Sequence, residues 1–199
     1  MRLSTQTLII LFLLALHADI SVAQTGDSSK VRMTAEVGLG AGSHTSFKMA
    51  VNSVFAKNNI LGLIISLGVR DGMFVPSNYN SGSLIKLGDG IPNEKVFAIG
   101  IMYGKMLYST SPMVRISLKG GLAYCAVVEP KNFKYGHYGF FGPNYTYDRV
   151  TVPTLGLVLN PGIEFPFAKG FGMGLGILSC INKESSTIGA ELSILFWDQ

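Results

Sequence analysis

The chain has 199 residues, 48% of them hydrophobic and only 14% charged, with a net charge of +4 at neutral pH. A charged fraction so far below the roughly 25% of ordinary soluble domains makes a poor water-facing surface. A charge this mild, with no Lys/Arg run, gives nucleic-acid binding no support, and the two cysteines are too few for a disulfide scaffold and lack metal-ligand spacing.

The N-terminus reads as an export signal. Arg2 sits in a short n-region, "LIILFLLALHA" is an apolar h-region too short to span a bilayer, and Ser21 and Ala23 place small residues where cleavage needs them. Residues 1–23 are therefore expected to be a cleaved signal peptide and 24–199 one domain. Removing 1–23 takes away one cation, Arg2, and one acid, Asp19, so the net charge stays at +4. No lipobox-like cysteine follows the h-region, so no lipid anchor is expected there.

From there the chain alternates between apolar and small or polar residues in eight stretches: 31–41, 46–55, 60–70, 94–105, 113–126, 150–167, 171–181 and 187–197. The second, fourth and sixth connections are short, and the long ones are the third and fifth, over roughly 71–92 and 128–149. A meander of antiparallel strands sends odd and even connections to opposite ends, so one end carries tight turns and the other variable loops.

Which face is outside is decided by content. Leu61, Leu63, Ile65, Leu67 and Val69 oppose Gly62, Ser66, Gly68 and Arg70; Phe171, Met173, Leu175 and Ile177 oppose Gly172, Gly174 and Gly176. A soluble lipocalin-like carrier would put its apolar face inward and a Lys/Glu-dense face to water. Here the polar face is mostly Gly, Ser, Thr and Ala with an isolated charge per strand, which suits the inside of a narrow closed barrel. The expected fold is all-β, an eight-stranded antiparallel up-and-down transmembrane β-barrel with its greasy face to lipid. Arg32, Glu36, Lys48, Arg115, Lys119, Glu164 and Glu191 share the small-residue side, which predicts a plug of lumen ion pairs rather than an open pore. Tyr103, Tyr124, Phe165, Phe167 and Phe196 are expected near strand ends as an interface girdle.

The stretches "TAEVGLGAG", "LGLVLNPGIEFPFAKGFGMGLGI" and "GAELSILF" resemble the small outer-membrane β-barrel proteins of Gram-negative bacteria, of the OmpA/OmpX type and especially the barrel family common in Bacteroidota. The resemblance covers essentially the whole mature chain and concerns fold rather than activity. It implies an outer-membrane location, contact with membrane lipid and lipopolysaccharide, and recognition of the last strand by the barrel-assembly machinery. Phe196 and Trp197 stand where that aromatic signal falls, followed here by Asp198 and Gln199.

Little in the sequence nominates chemistry. His44 and Ser46 stand two apart in "SHTS", the one spacing that would fit a lipid-modifying enzyme on the same barrel; a polar surface turn explains them as well, and no catalytic site, metal site or cofactor is expected. The fifth connection is aromatic: Phe133, Tyr135, Tyr138, Phe140, Phe141, Tyr145 and Tyr147 interleave with Lys131, Lys134 and Arg149. Such a segment suits a contact surface for sugar, headgroup or protein, or a cover over the barrel mouth. Cys125 and Cys180 point inward from strands separated by one other, so their backbones should lie roughly 9.5 Å apart. That exceeds the ~7 Å limit between Cα atoms of a disulfide, and two free thiols are expected.

Overall fold

The computed structural model describes residues 31–72, 74–81, 92–109, 114–136 and 143–197. The expected signal peptide, residues 1–23, lies outside them. Among the described residues nine strand segments follow one another: β1 (Arg32–Gly42), β2 (Thr45–Phe55), β3 (Asn59–Asp71), β4 (Asn93–Tyr108), β5 (Arg115–Tyr135), β6 (Tyr145–Leu159), β7 (Gly162–Ala168), β8 (Phe171–Asn182) and β9 (Thr187–Trp197). Neighbours pair antiparallel, and β1 pairs with β9 from Thr34↔Trp197 to Gly42↔Gly189, which closes the sheet. β6 and β7 share one position between β5 and β8. The ring therefore has eight staves.

The sixth expected strand, 150–167, is thus one stave in two pieces. Its register is the same on both sides of the break: Leu159 faces Gly120 and Ser179, and Gly162 faces Ser117 and Gly176. Pro161 has no N–H for the ladder and locally disrupts it. The flanking bonds persist, with the Asn160 amide donating to the Lys119 carbonyl at 2.8 Å and the Ile177 amide to the Pro161 carbonyl at 2.9 Å.

A second difference lies in the fifth connection, most of which is strand. β5 runs on to Tyr135 and β6 starts at Tyr145, with a bulge between Lys131 and Lys134 where Asn132 takes φ 55°. The β-branched residues Val127, Val128, Val150, Thr151 and Val152 favour extension, and a residue such as Asn tolerates the left-handed bulge position. β4 reaches β5 only as far as Val128, and β6 meets β8 only over Gly156–Leu159. The outer parts of β5 and β6 therefore stand beyond the wall as a two-stranded ribbon.

The start of β1 and the end of β9 lie at the same end as the Ala56–Asn58, 109–114 and Lys169–Gly170 connections. Two of these turns use the left-handed region, at Lys57 and Asn58 (φ 58° and 62°) and at Gly170 (φ 79°). The 43–44, 72–92, 136–144 and 183–186 connections mark the opposite, outer end.

The outside of the wall is apolar. Leu39, Leu63, Leu122 and Leu155 are 66%, 61%, 74% and 77% exposed, while Glu36, Lys48, Lys119, Glu164 and Glu191 are each 5% or less. This inverts the soluble arrangement and disposes of the lipocalin-like alternative, whose apolar face would line the cavity. Closure also leaves the wall no open edge in hydrocarbon. The lumen is less uniformly small than expected: Ile64, Met102, Val158 and Leu178 join Ala50, Ala98 and Ala123 in a buried apolar layer.

Candidate functional site

The lumen side chains are ordered in layers, because every second residue of each stave points inward and the staves are staggered. At the centre of the charged layer is Lys48 of β2. Its ammonium donates to Glu36 Oε2 at 2.8 Å and Asn160 Oδ1 at 2.9 Å, and pairs with Glu191 Oε1 at 2.6 Å. Three partners use all three of its N–H donors. Glu36 also pairs with Lys119 of β5 and accepts from Asn52 Nδ2 at 2.9 Å. Gly38 makes room for this layer: a Cβ there would lie 2.8 Å from Glu191 Oε1.

Of the seven charges expected in the lumen, the structure brings together Glu36, Lys48, Lys119 and Glu191. Glu164 lies on the wall of the same cavity, beside Ser117 and Ser193. That cavity has room for about one water. Among the described residues, Glu191 Oε2 and Asn52 Oδ1 are buried without a hydrogen-bond partner. Arg32 and Arg115 belong elsewhere, in a layer at the short-turn mouth. Arg115 lies 5.0 Å from the Trp197 ring and 5.7 Å from Tyr108, and Arg32 donates to the Tyr108 hydroxyl at 3.4 Å. Where the lumen opens, aromatic faces take the Arg115 guanidinium and a phenol oxygen accepts from that of Arg32.

A further cluster closes the outer mouth. Arg70 of β3 clamps Glu94 of β4 through one carboxylate oxygen, at 2.7 and 3.1 Å; Ser185 donates to the other oxygen, and His44 Nε2 lies 3.4 Å from it. Two connections and two strand ends are tied at one carboxylate. Burial first, and the Arg70 charge second, hold the His44 imidazole below its ordinary value of 6.5 despite Glu94. The sequence reading missed Glu94 as a lumen residue, although its even number puts it on the face of Ala98 and Gly100. Ser46 is not the hydroxyl His44 meets. Ser43 is, at 3.1 Å from Nδ1, and its Oγ also accepts the Ile188 amide at 3.0 Å, tying this turn to β9.

The ribbon holds the described aromatics of the fifth connection. Phe133 and Tyr147 approach to 5.5 Å between ring centroids, Tyr135 and Tyr145 to 5.3 Å, and Tyr79 from the third connection stacks on Tyr145 at 6.3 Å. Arg149 lies 6.0 Å from the Tyr147 ring. Asn78 and Asn80 clip onto the ribbon through Tyr145 and Asn144. Tyr138, Phe140 and Phe141 lie outside the described residues. Phe133, Tyr135, Tyr145 and Tyr147 thus lie on the strand-built ribbon beyond the spanning wall and not on an irregular loop. At the short-turn end Phe167, Phe171 and Phe196 form an exposed aromatic row, with neighbouring centroids 6.2 and 5.7 Å apart. Tyr124 is exposed at mid-strand instead of at an end, because β5 extends to Tyr135.

No family model matches the chain, and no curated protein does. Solved structures do. A major outer membrane protein from Thermus thermophilus superposes with a TM-score of 0.55 at 11% identity, over 85% of this chain and 100% of that one. The N-terminal β-barrel domain of Pseudomonas aeruginosa OprF gives 0.50 at 11% identity, over 84% and 96%. Identity this low speaks for the fold alone. That fold, with the apolar outside, is that of a small OmpA/OmpX-like outer-membrane β-barrel.

Proposed function

We propose that this protein is a non-catalytic integral barrel of the outer membrane, without an open pore, that serves as a structural or surface-interaction element. The observation that supports this best is the Lys48-centred network across the lumen of a barrel whose outside is greasy. Eight staves leave an interior that side chains can fill, and here they fill it with paired charges. Outer-membrane lipid and lipopolysaccharide are the partners that suit the exposed leucine rows, and the barrel-assembly machinery is the partner that suits an aromatic-ended last strand. The ribbon, with Phe133, Tyr135, Tyr145 and Tyr147 beside Arg149, is the surface on which an external ligand would act.

Purified protein reconstituted in planar bilayers tests the closed lumen: the reading expects no stable unitary conductance, and steady channels in wild-type protein would refute it. The enzymatic alternative has its own test, since Ser43 and His44 are engaged in turn bonds. Replacing His44 with Ala is expected to leave the lipid A profile of the membrane unchanged, and a lost acyl or sugar modification would favour catalysis.

A further inference from the structure

Cys125 of β5 and Cys180 of β8 are the chain's two cysteines, 0% and 2% exposed on the inner face. The stave between them is the one interrupted at Asn160–Pro161, where Cys125 faces Thr154 and Cys180 faces Val158. Two strand spacings would keep their backbones apart, yet inward-pointing side chains converge toward the axis of a narrow barrel, and the sulfurs lie 3.3 Å from each other. Gly156 clears the way between them, since a Cβ there would lie 2.8 Å from Cys125 Sγ. Both thiols are free in this structure. A disulfide requires sulfurs at about 2.05 Å and Cα atoms within about 7 Å, so closing it takes a further sulfur approach of about 1.3 Å with β5 and β8 drawn toward each other across the interrupted stave.

We propose that Cys125 and Cys180 are a disulfide-forming pair that staples β5 to β8 across the interrupted stave as the protein matures outside the cytoplasm. The oxidant is a protein or small-molecule disulfide of the exported compartment. One cysteine thiolate attacks a sulfur of that disulfide, forms a mixed disulfide and expels one oxidant thiolate. The second cysteine thiolate then attacks the first cysteine's sulfur, forming the Cys125–Cys180 bond and releasing the other oxidant thiolate. The cysteines lose two electrons and two protons, and the oxidant gains them as a dithiol. Because both sulfurs are shut off in the finished barrel, the exchange precedes or accompanies closure, and with two cysteines the chain has no wrong intramolecular partner.

This rests on the reading that the chain is exported to a membrane, and the test separates the two. Full-length protein is extracted from membranes after acid quenching, unfolded in denaturant with an alkylating agent, and weighed intact with and without prior reduction. The expected result is no alkyl group without reductant, two after reduction, and an unreduced mass about 2 Da lower, the two lost hydrogens. Two alkyl groups without reductant on membrane-extracted protein would overturn the staple while leaving the barrel reading intact; a chain found in the soluble fraction would defeat the export reading instead. A second arm unfolds the wild type and the Cys125→Ala, Cys180→Ala double variant in denaturant with or without reductant, refolds each under the same condition, and compares their heat unfolding. Reductant is expected to lower only the wild-type midpoint, and an unchanged wild-type midpoint would refute stapling. Should the double variant fail to fold, the mass measurement and the wild-type arm still decide.

Discussion

Lys48 shows what a single residue does in this interior. Its ammonium is the common partner of Glu36, Asn160 and Glu191, so it joins β1, β2, β9 and the broken stave at one point. Replacing it with Met keeps the length and removes the charge, leaving two buried carboxylates short of a cation. Breaking a buried pair from one side typically costs about 3–5 kcal/mol, and the urea midpoint of unfolding in micelles or vesicles is expected to fall accordingly. Adding Glu191→Gln to the same chain should return part of the loss, because Glu36 still has Lys119 and the uncompensated charge is then gone. At the outer mouth His44 makes a prediction about pH. Its imidazole is held below 6.5 by burial and by Arg70, so as pH falls through 6.5 the unfolded chain takes up the proton first. The contribution of neutral His44 is complete above pH 6.5 and is lost as pH falls toward and through the folded-state value. Unfolding followed at pH 7.5 and pH 5.5 should therefore show a larger acid loss in wild type than in His44→Gln.

At the scale of elements, periodicity made most staves legible and left their ends obscure. β9 is found where alternation from Thr187 to Trp197 puts it, because one face must meet lipid and the other the lumen, and a one-residue slip would exchange them. β5 and β6 were under-read. Past Val128 lipid no longer constrains the outward face, so "EPKNFKY" and "YTYDRV" lose the apolar alternation while keeping the aromatic and β-branched residues that extend a strand. The split at Asn160–Pro161 also escaped, since side-chain parity runs through it unchanged. The ribbon gives a test of its own. Tyr145 contacts Tyr79, Phe133 and Tyr135 and donates to Asn78. Changing it to Ala should release the 74–81 segment, visible as faster limited proteolysis there, while the heat-unfolding midpoint of the barrel stays close to wild type.

For the whole molecule, the inverted surface organises everything else: greasy rows outside, a charged and apolar filling inside, and loops gathered at one end. Parity placed Glu36, Lys48, Lys119, Glu164 and Glu191 on the inner face, but their depth along the axis depends on the stagger between staves, which no single stave's sequence encodes. That is why Arg32 and Arg115, of the same parity, end up with Tyr108 and Trp197 at the mouth, and why the Glu94 cluster went unforeseen. The lipid face carries a sharp contrast. Leu63 lies mid-way along the outward row of β3, 61% exposed, and Leu63→Arg should cost about 2–4 kcal/mol in vesicles if its row crosses the bilayer midplane. In a water-soluble barrel the same exposed change would be nearly silent.

The measurement that bears most directly on the central claim is fractionation of membranes followed by a denaturing gel with and without boiling. A closed lipid-facing barrel predicts a species that needs detergent for extraction and whose mobility shifts on heating. A protein released without detergent, running at one position whether boiled or not, would contradict it.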